Sequence, residues 1–169
     1  MWKLSDTVVY GSAGVCKIVD IREELFADEK RTYFILKPVF DDKTTIHVPT
    51  FNEKLMSKIK PVLKKAEALS LIKSIPEIEP LWIDGDKLRQ EKYKEVLDSS
   101  DRTLLVSVIK ALYERRAELT EKGKKMRSSD EYAFKDAEQL FENECAHVFA
   151  IPKNEVRDFI LSKIENAQA

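Results

Sequence analysis

Apolar and polar positions follow a period near two through residues 1–62 and a period near 3.6 beyond them, so the chain changes architecture once along its length. The segments Thr7 to Tyr10, Val15 to Ile21, Thr32 to Leu36 and Thr44 to Val48 are rich in β-branched and aromatic residues. Alternation is clearest where Cys16, Ile18 and Asp20 oppose Val15, Lys17 and Val19. Turn chemistry separates these segments at Gly11 to Gly14, Ala27 to Lys30 and Asp41 to Lys43, and a fifth strand is predicted around Lys58 to Val62. Four or five short strands at this spacing predict a small antiparallel barrel or strongly curved sheet with one edge open.

After Pro61 the pattern turns helical. Ala68, Leu71, Ile72 and Ile75 share one face of a short helix that Pro76 stops, and PEIEPLW with its two prolines reads as a linker. From Lys87 to Leu97 a polar helix carries only Leu88, Tyr93, Val96 and Leu97 as its apolar stripe. Residues 98–101 then cap an amphipathic helix bearing Leu104, Leu105, Val108, Ile109, Leu112 and Tyr113. A loop or short helix from Glu118 to Arg127, broken at Gly123, leads to Ser128, which with Glu131 has the spacing of a capping box ahead of a long helix. Pro152 fits the first turn of a last helix. The reading is therefore α+β: a β domain over 1–62, a short helix and linker over 63–81, and an all-helical bundle over 82–169.

Composition narrows the function. With 43% hydrophobic and 35% charged residues the chain has the make-up of a globular protein rich in charged helices. A formal net charge of −1 supplies no global positive field, so any contact with nucleic acid has to be local. The N-terminus lacks the pattern of a signal peptide and no run approaches a membrane span, so the expectation is a cytoplasmic protein without a membrane partner. Cys16, Cys145, His47 and His147 have no ligand-spaced neighbours and read as packing residues, with no metal, cofactor or disulfide. Gly11 to Gly14 lacks the Gly-Lys-Ser/Thr of a phosphate loop, and no nucleophile elbow or Cys/His pair occurs, so no catalytic residue is assigned and the protein is expected not to be an enzyme.

Trp82 is the outlier, a large ring in a highly charged stretch. It is followed by Lys87, Arg89, Lys92 and Lys94, and a second basic cluster, Lys122, Lys124, Lys125 and Arg127, precedes Ser128. Two readings stand: the ring packs the linker on the bundle while the charges are solvated, or the charges meet phosphates while the ring contacts bases.

The opening LSDTVVYGSAGVCKIVDI resembles the start of the CarD/CdnL family of bacterial RNA polymerase-binding transcription regulators. KRTYFIL, TIHVP, Trp82 after a proline-bearing linker, and the helical stretch from Ser99 to Phe149 follow in the family's order. The resemblance implies a Tudor-like N-terminal barrel that binds the RNA polymerase β subunit, a domain shared with transcription-repair coupling factors. It implies that the helical domain contacts promoter DNA at the upstream edge of the transcription bubble, with Trp82 as a minor-groove wedge that stabilises the open complex. The polymerase-facing positions map to Arg22, Glu24, Lys43, Thr45 and His47, with Glu24 and His47 standing where basic residues are common. The DNA-facing set is Trp82, Lys87, Arg89, Lys92, Lys94, Lys124, Lys125 and Arg127. A monomer with these two partners is expected; the alternative is a protein-interaction adaptor that binds polymerase or another partner without touching DNA.

Overall fold

The computed structural model describes residues 1–168, so the last position of the bundle expected over 82–169 lies outside the described residues. The chain forms two compact units, Met1–Val62 and a second that begins at Leu63.

The first unit is a five-stranded antiparallel sheet built from β1 (Thr7–Tyr10), β2 (Gly14–Phe26), β3 (Glu29–Pro38), β4 (Ile46–Pro49) and β5 (Ile59–Pro61), in the order β4-β3-β2-β1-β5. Val8, Cys16, Ile18, Phe34, Leu36 and Val48 form its core, with Trp2, Leu55 and Met56 packed against it. The one-turn helix α1 (Glu53–Met56) is capped by Asn52, whose Oδ1 accepts from the Leu55 amide at 3.1 Å. In place of a closed barrel the sheet is open, since among the described residues no ladder joins β4 to β5. Both edge strands are very short and end in a proline, Pro49 and Pro61, which has no amide to donate to a closing ladder.

β2 and β3 run well past the core as a hairpin. Ala27 and Asp28, with φ of 51° and 63°, make its two-residue turn. Positive φ at both central positions belongs to the hairpin turn whose twist matches the strands, so the turn is tighter than the four-residue Ala27 to Lys30 connection read from sequence. Residues 21–30 are exposed on both faces of this arm.

The second unit is helical: α2 (Lys65–Ser74), α3 (Asp86–Asp98), α4 (Arg102–Glu121), α5 (Ser128–Phe149) and α6 (Val156–Gln168). Ile72, Tyr93, Val108, Leu112, Ala137, Phe141, Cys145 and Val156 form its core. Residues 63–81 are part of this unit and do not form a free linker. Leu71, Ile75, Ile78 and Leu81 pack on the helical core. The Lys110 ammonium on α4 donates to the carbonyls of Ile75 at 2.8 Å, Pro76 at 3.3 Å and Ile78 at 2.6 Å. The prolines end α2, and the carbonyls they leave without helical partners find this lysine.

Helix starts differ in one respect. Asp101 caps α4 as expected, accepting from the Leu104 amide at 3.0 Å. Ser128, however, is already the first helical residue of α5; Arg127 is the N-cap and no side-chain cap bond forms, so the Ser128/Glu131 capping box is absent. Arg127 holds the N-cap position with non-helical backbone, which puts Ser128 one residue too far into the helix for the box. Pro152 lies before a short 3-10 turn, Lys153–Glu155, that leads into α6 instead of opening that helix itself.

Candidate functional site

Two surfaces, one on each unit, collect the sequence-predicted residues. On the first, register alone defines the grouping, because directly paired residues share a face. Arg22 pairs Tyr33, Glu24 pairs Arg31, Tyr33 pairs Pro49 and Ile35 pairs His47. Arg22, Glu24 and His47 thus lie on the face opposite the core residues Phe34, Leu36 and Val48. Lys43 and Thr45 are exposed in the loop before β4. Arg22 is ion-paired with Asp20 at 2.7 Å, and that hydrogen bond holds the Asp20 carboxyl below the usual carboxylate range.

The same face carries residues that sequence reasoning missed. Arg31 lies over the Phe26 ring at 5.0 Å and the Phe51 ring at 4.7 Å, and Phe51 meets Tyr33 edge to face at 5.7 Å. Phe26 is 60% and Phe51 51% exposed. The signal was the alternation Arg22, Glu24, Phe26 on one strand and Arg31, Tyr33 on the next. It becomes legible only once the turn is placed at Ala27 and Asp28.

On the second unit, Trp82 is 37% exposed. Its Nε1 donates to Asp84 Oδ1 at 3.1 Å, and two guanidiniums lie over its ring, Arg89 at 4.3 Å and Arg115 at 5.5 Å. Such cation–π contacts contribute about 0.5 to 2 kcal/mol each.

Arg89 is a correction. Expected to reach phosphate, it is only 3% exposed. It donates from Nε and Nη2 to Asp130 at 2.9 and 2.8 Å, from Nη2 to Asp86 at 2.7 Å and from Nη1 to the Ile83 carbonyl at 3.0 Å. A guanidinium taken out of water has to be paired; these bonds use four of its five N–H groups, and its burial keeps it from a phosphate. A lone arginine in a polar helix reads as solvated; only the distant Asp130 reveals otherwise.

The other predicted basic residues stay at the surface. Lys87, Lys94, Lys124 and Lys125 are exposed, Lys92 is ion-paired with Glu95 at 3.5 Å, and Arg127 is ion-paired with Asp86. The hydrogen bond from Arg89 is the chief reason the Asp86 carboxyl titrates below its ordinary range. Lys124 and Lys125 line a hollow at the start of α5 together with Arg116 and Tyr132. Arg115 and Arg116 were missed because their α4 positions read as an ordinary solvated helix face.

An apolar groove of about 440 Å³ lies among α4, α5 and α6, lined by Phe134, Phe141, Ile164 and Glu138. Burial raises the Glu138 carboxyl, but Arg157 pairs with it at 3.3 Å, so its role there is structural. No group of three or more His, Cys, Asp or Glu among the described residues could hold a metal ion. No described helix is long and apolar enough to cross a membrane.

Residues 3–60 match the family model of the CarD-like/TRCF RID domain, and the match falls within the sheet unit. No curated protein matches the chain. The matched domain is a protein-interaction module and not a catalytic one. The sheet unit is thus similar to a CarD-like/TRCF RID domain over residues 3–60, and the helical unit lies outside the match.

Proposed function

We propose that the protein is a transcription regulator that binds RNA polymerase through its RID domain and holds promoter DNA open through its helical unit. The observation that carries this reading is the RID-domain match over residues 3–60. The β subunit is the proposed polymerase partner, met by the face that bears Arg22, Glu24 and His47 and the adjoining Lys43 and Thr45, with the edge of β4 available for strand pairing. The helical unit then lies at the upstream edge of the bubble. Lys124, Lys125 and Arg127, joined by Lys87, Lys92 and Lys94, meet phosphates there, and the half-exposed Trp82 ring covers a distorted base step. Tethering to polymerase raises the local concentration, which suits a protein with a net charge of −1 and weak intrinsic attraction to DNA.

A second reading rests on a specific observation: Asp84 accepts from the Trp82 indole, while Asp86 and Asp130 offset the charges of Arg89 and Arg127 beside it. The protein would then be an adaptor that binds polymerase and leaves DNA alone. The test uses the full chain with purified polymerase and a promoter template. Binding to polymerase, together with an open-complex lifetime lengthened by roughly 5- to 150-fold and lost in Trp82→Ala, is the result expected for the regulator. Binding with an unchanged lifetime supports the adaptor, and no binding at about 100 micromolar rejects both.

A further inference from the structure

We infer that the buried Arg89–Asp130 pair is a positioning device that holds the Trp82 indole in one orientation at the surface. The inference deepens the DNA-contact reading and rests on it.

The geometry is specific. Asp130 takes Arg89 through two parallel bonds of 2.9 and 2.8 Å, which fixes the plane of the guanidinium and not merely its place. That plane lies 4.3 Å from the centre of the Trp82 ring. The remaining Nη1 bond goes to the carbonyl of Ile83, the residue after the tryptophan, at 3.0 Å. On the other side of the tryptophan, the Leu81 carbonyl accepts from the Tyr93 hydroxyl at 2.6 Å and the Leu81 amide donates to the Ser107 carbonyl at 3.0 Å. The backbone is therefore pinned on both sides of a ring that is itself 37% exposed. Tyr93 and Arg89 sit one turn apart on α3, Ser107 on α4 and Asp130 in the first turn of α5, so three helices hold three residues of chain.

Stability alone does not call for this arrangement. A buried ion pair is often replaceable by apolar residues of similar volume without loss of stability. An exposed indole that only shielded a helix surface gains nothing from having its neighbours immobilised. An indole that must meet a base step does gain, because ordering a side chain at the moment of binding weakens the contact by about 2- to 12-fold.

The experiment uses the full chain with Trp2→Phe, which leaves Trp82 as the single tryptophan. Arg89→Met/Asp130→Leu removes the pair as a unit, so that neither charge is left buried alone. Three quantities are measured: thermal unfolding, acrylamide quenching and fluorescence anisotropy of Trp82, and affinity for a forked, premelted DNA against the same duplex fully paired. Trp82→Ala serves as the reference for complete loss of the ring. The double variant is expected to unfold at the parent's temperature, to show a more mobile and more readily quenched indole, and to lose about 2- to 12-fold of the preference for the fork. Duplex affinity and its salt dependence stay unchanged. Should the double variant fail to fold, Arg89→Lys takes its place: it keeps the charge but not the planar two-bond fork, and the same changes in quenching and fork preference are expected. If Trp82→Ala loses the preference while the pair variant keeps both preference and quenching, the positioning role is overturned and the DNA reading stands. If Trp82→Ala leaves fork binding unchanged, the DNA reading itself has failed, and the positioning inference falls with it.

Discussion

At the scale of single residues, the chain carries strain that substitution can relieve. Ala150 terminates α5 with a φ of 53° and a ψ of 47°, a left-handed conformation that costs an alanine about 1 kcal/mol or more relative to glycine. Its neighbour's amide, from Ile151, bonds the Ala146 carbonyl at 3.1 Å, so the cap is formed and only the side chain is at fault. Ala150→Gly is expected to stabilise the helical unit by about 1 kcal/mol, read as a higher denaturant midpoint with unchanged slope. The two thiols give a second prediction. Burial pushes both Cys16 and Cys145 up to about 12, so at pH 8 neither supplies appreciable thiolate in the folded protein. A thiol reagent at that pH should label neither until denaturant unfolds the chain, after which both react; rapid labelling of the native protein would contradict the burial.

Elements show where partnerships decide stability. The segment after α2 has no regular helix to satisfy its carbonyls, and Lys110 supplies three donors to Ile75, Pro76 and Ile78. Removing a charged hydrogen-bond donor from buried or half-buried acceptors costs about 1.5 to 3 kcal/mol of stability. Lys110→Met keeps the aliphatic stem but removes the donors, so the helical unit should lose roughly that amount in a denaturation experiment. Arg102 and Glu144 act in the same way between α4 and α5. Their guanidinium and carboxylate meet at 2.9 and 2.8 Å, and Glu144 also accepts the Leu63 amide at 3.1 Å at the start of the unit. In sequence Glu144 looks like one more position on a solvated helix; at 6% exposure it is a buried partner.

For the molecule as a whole, charge is balanced in sum and uneven in place. A net charge of −1 gives no long-range pull toward DNA, yet Lys124 and Lys125 stand with Arg116 at the start of α5, a helix of 22 residues. Lys124→Glu/Lys125→Glu should weaken DNA binding across sequences alike and lower the slope of log affinity against log salt by about one unit for each phosphate no longer neutralised. Polymerase binding by the RID domain should be unaffected, and an unchanged slope would mean that these lysines are solvent-facing only. Arg89 is excluded from the phosphate set by its burial, so its removal should alter the Trp82 environment without changing the salt slope.

What the sequence by itself determined was the part carried by local pattern. The period-two and period-3.6 runs located every strand, and all the long helices, because alternation and amphipathicity are imposed by the geometry of one element at a time. The motif beginning LSDTVVY was legible for the same reason, being continuous in the chain, and it lies within the matched residues 3–60. The tertiary structure alone decided what depends on partners far apart. The sheet stays open because its two short edge strands do not pair, which no single strand records. Residues 63–81 belong to the helical unit because Lys110 and the apolar core take up PEIEPLW, although its prolines suit a linker equally well. Ser128 gives up its capping role because α5 already begins at that residue, and Arg89 its exposed one because Asp130 lies 41 residues away in sequence and within hydrogen-bond distance in space. A buried charge is set by its partner's position, and that position exists only after the helices have packed.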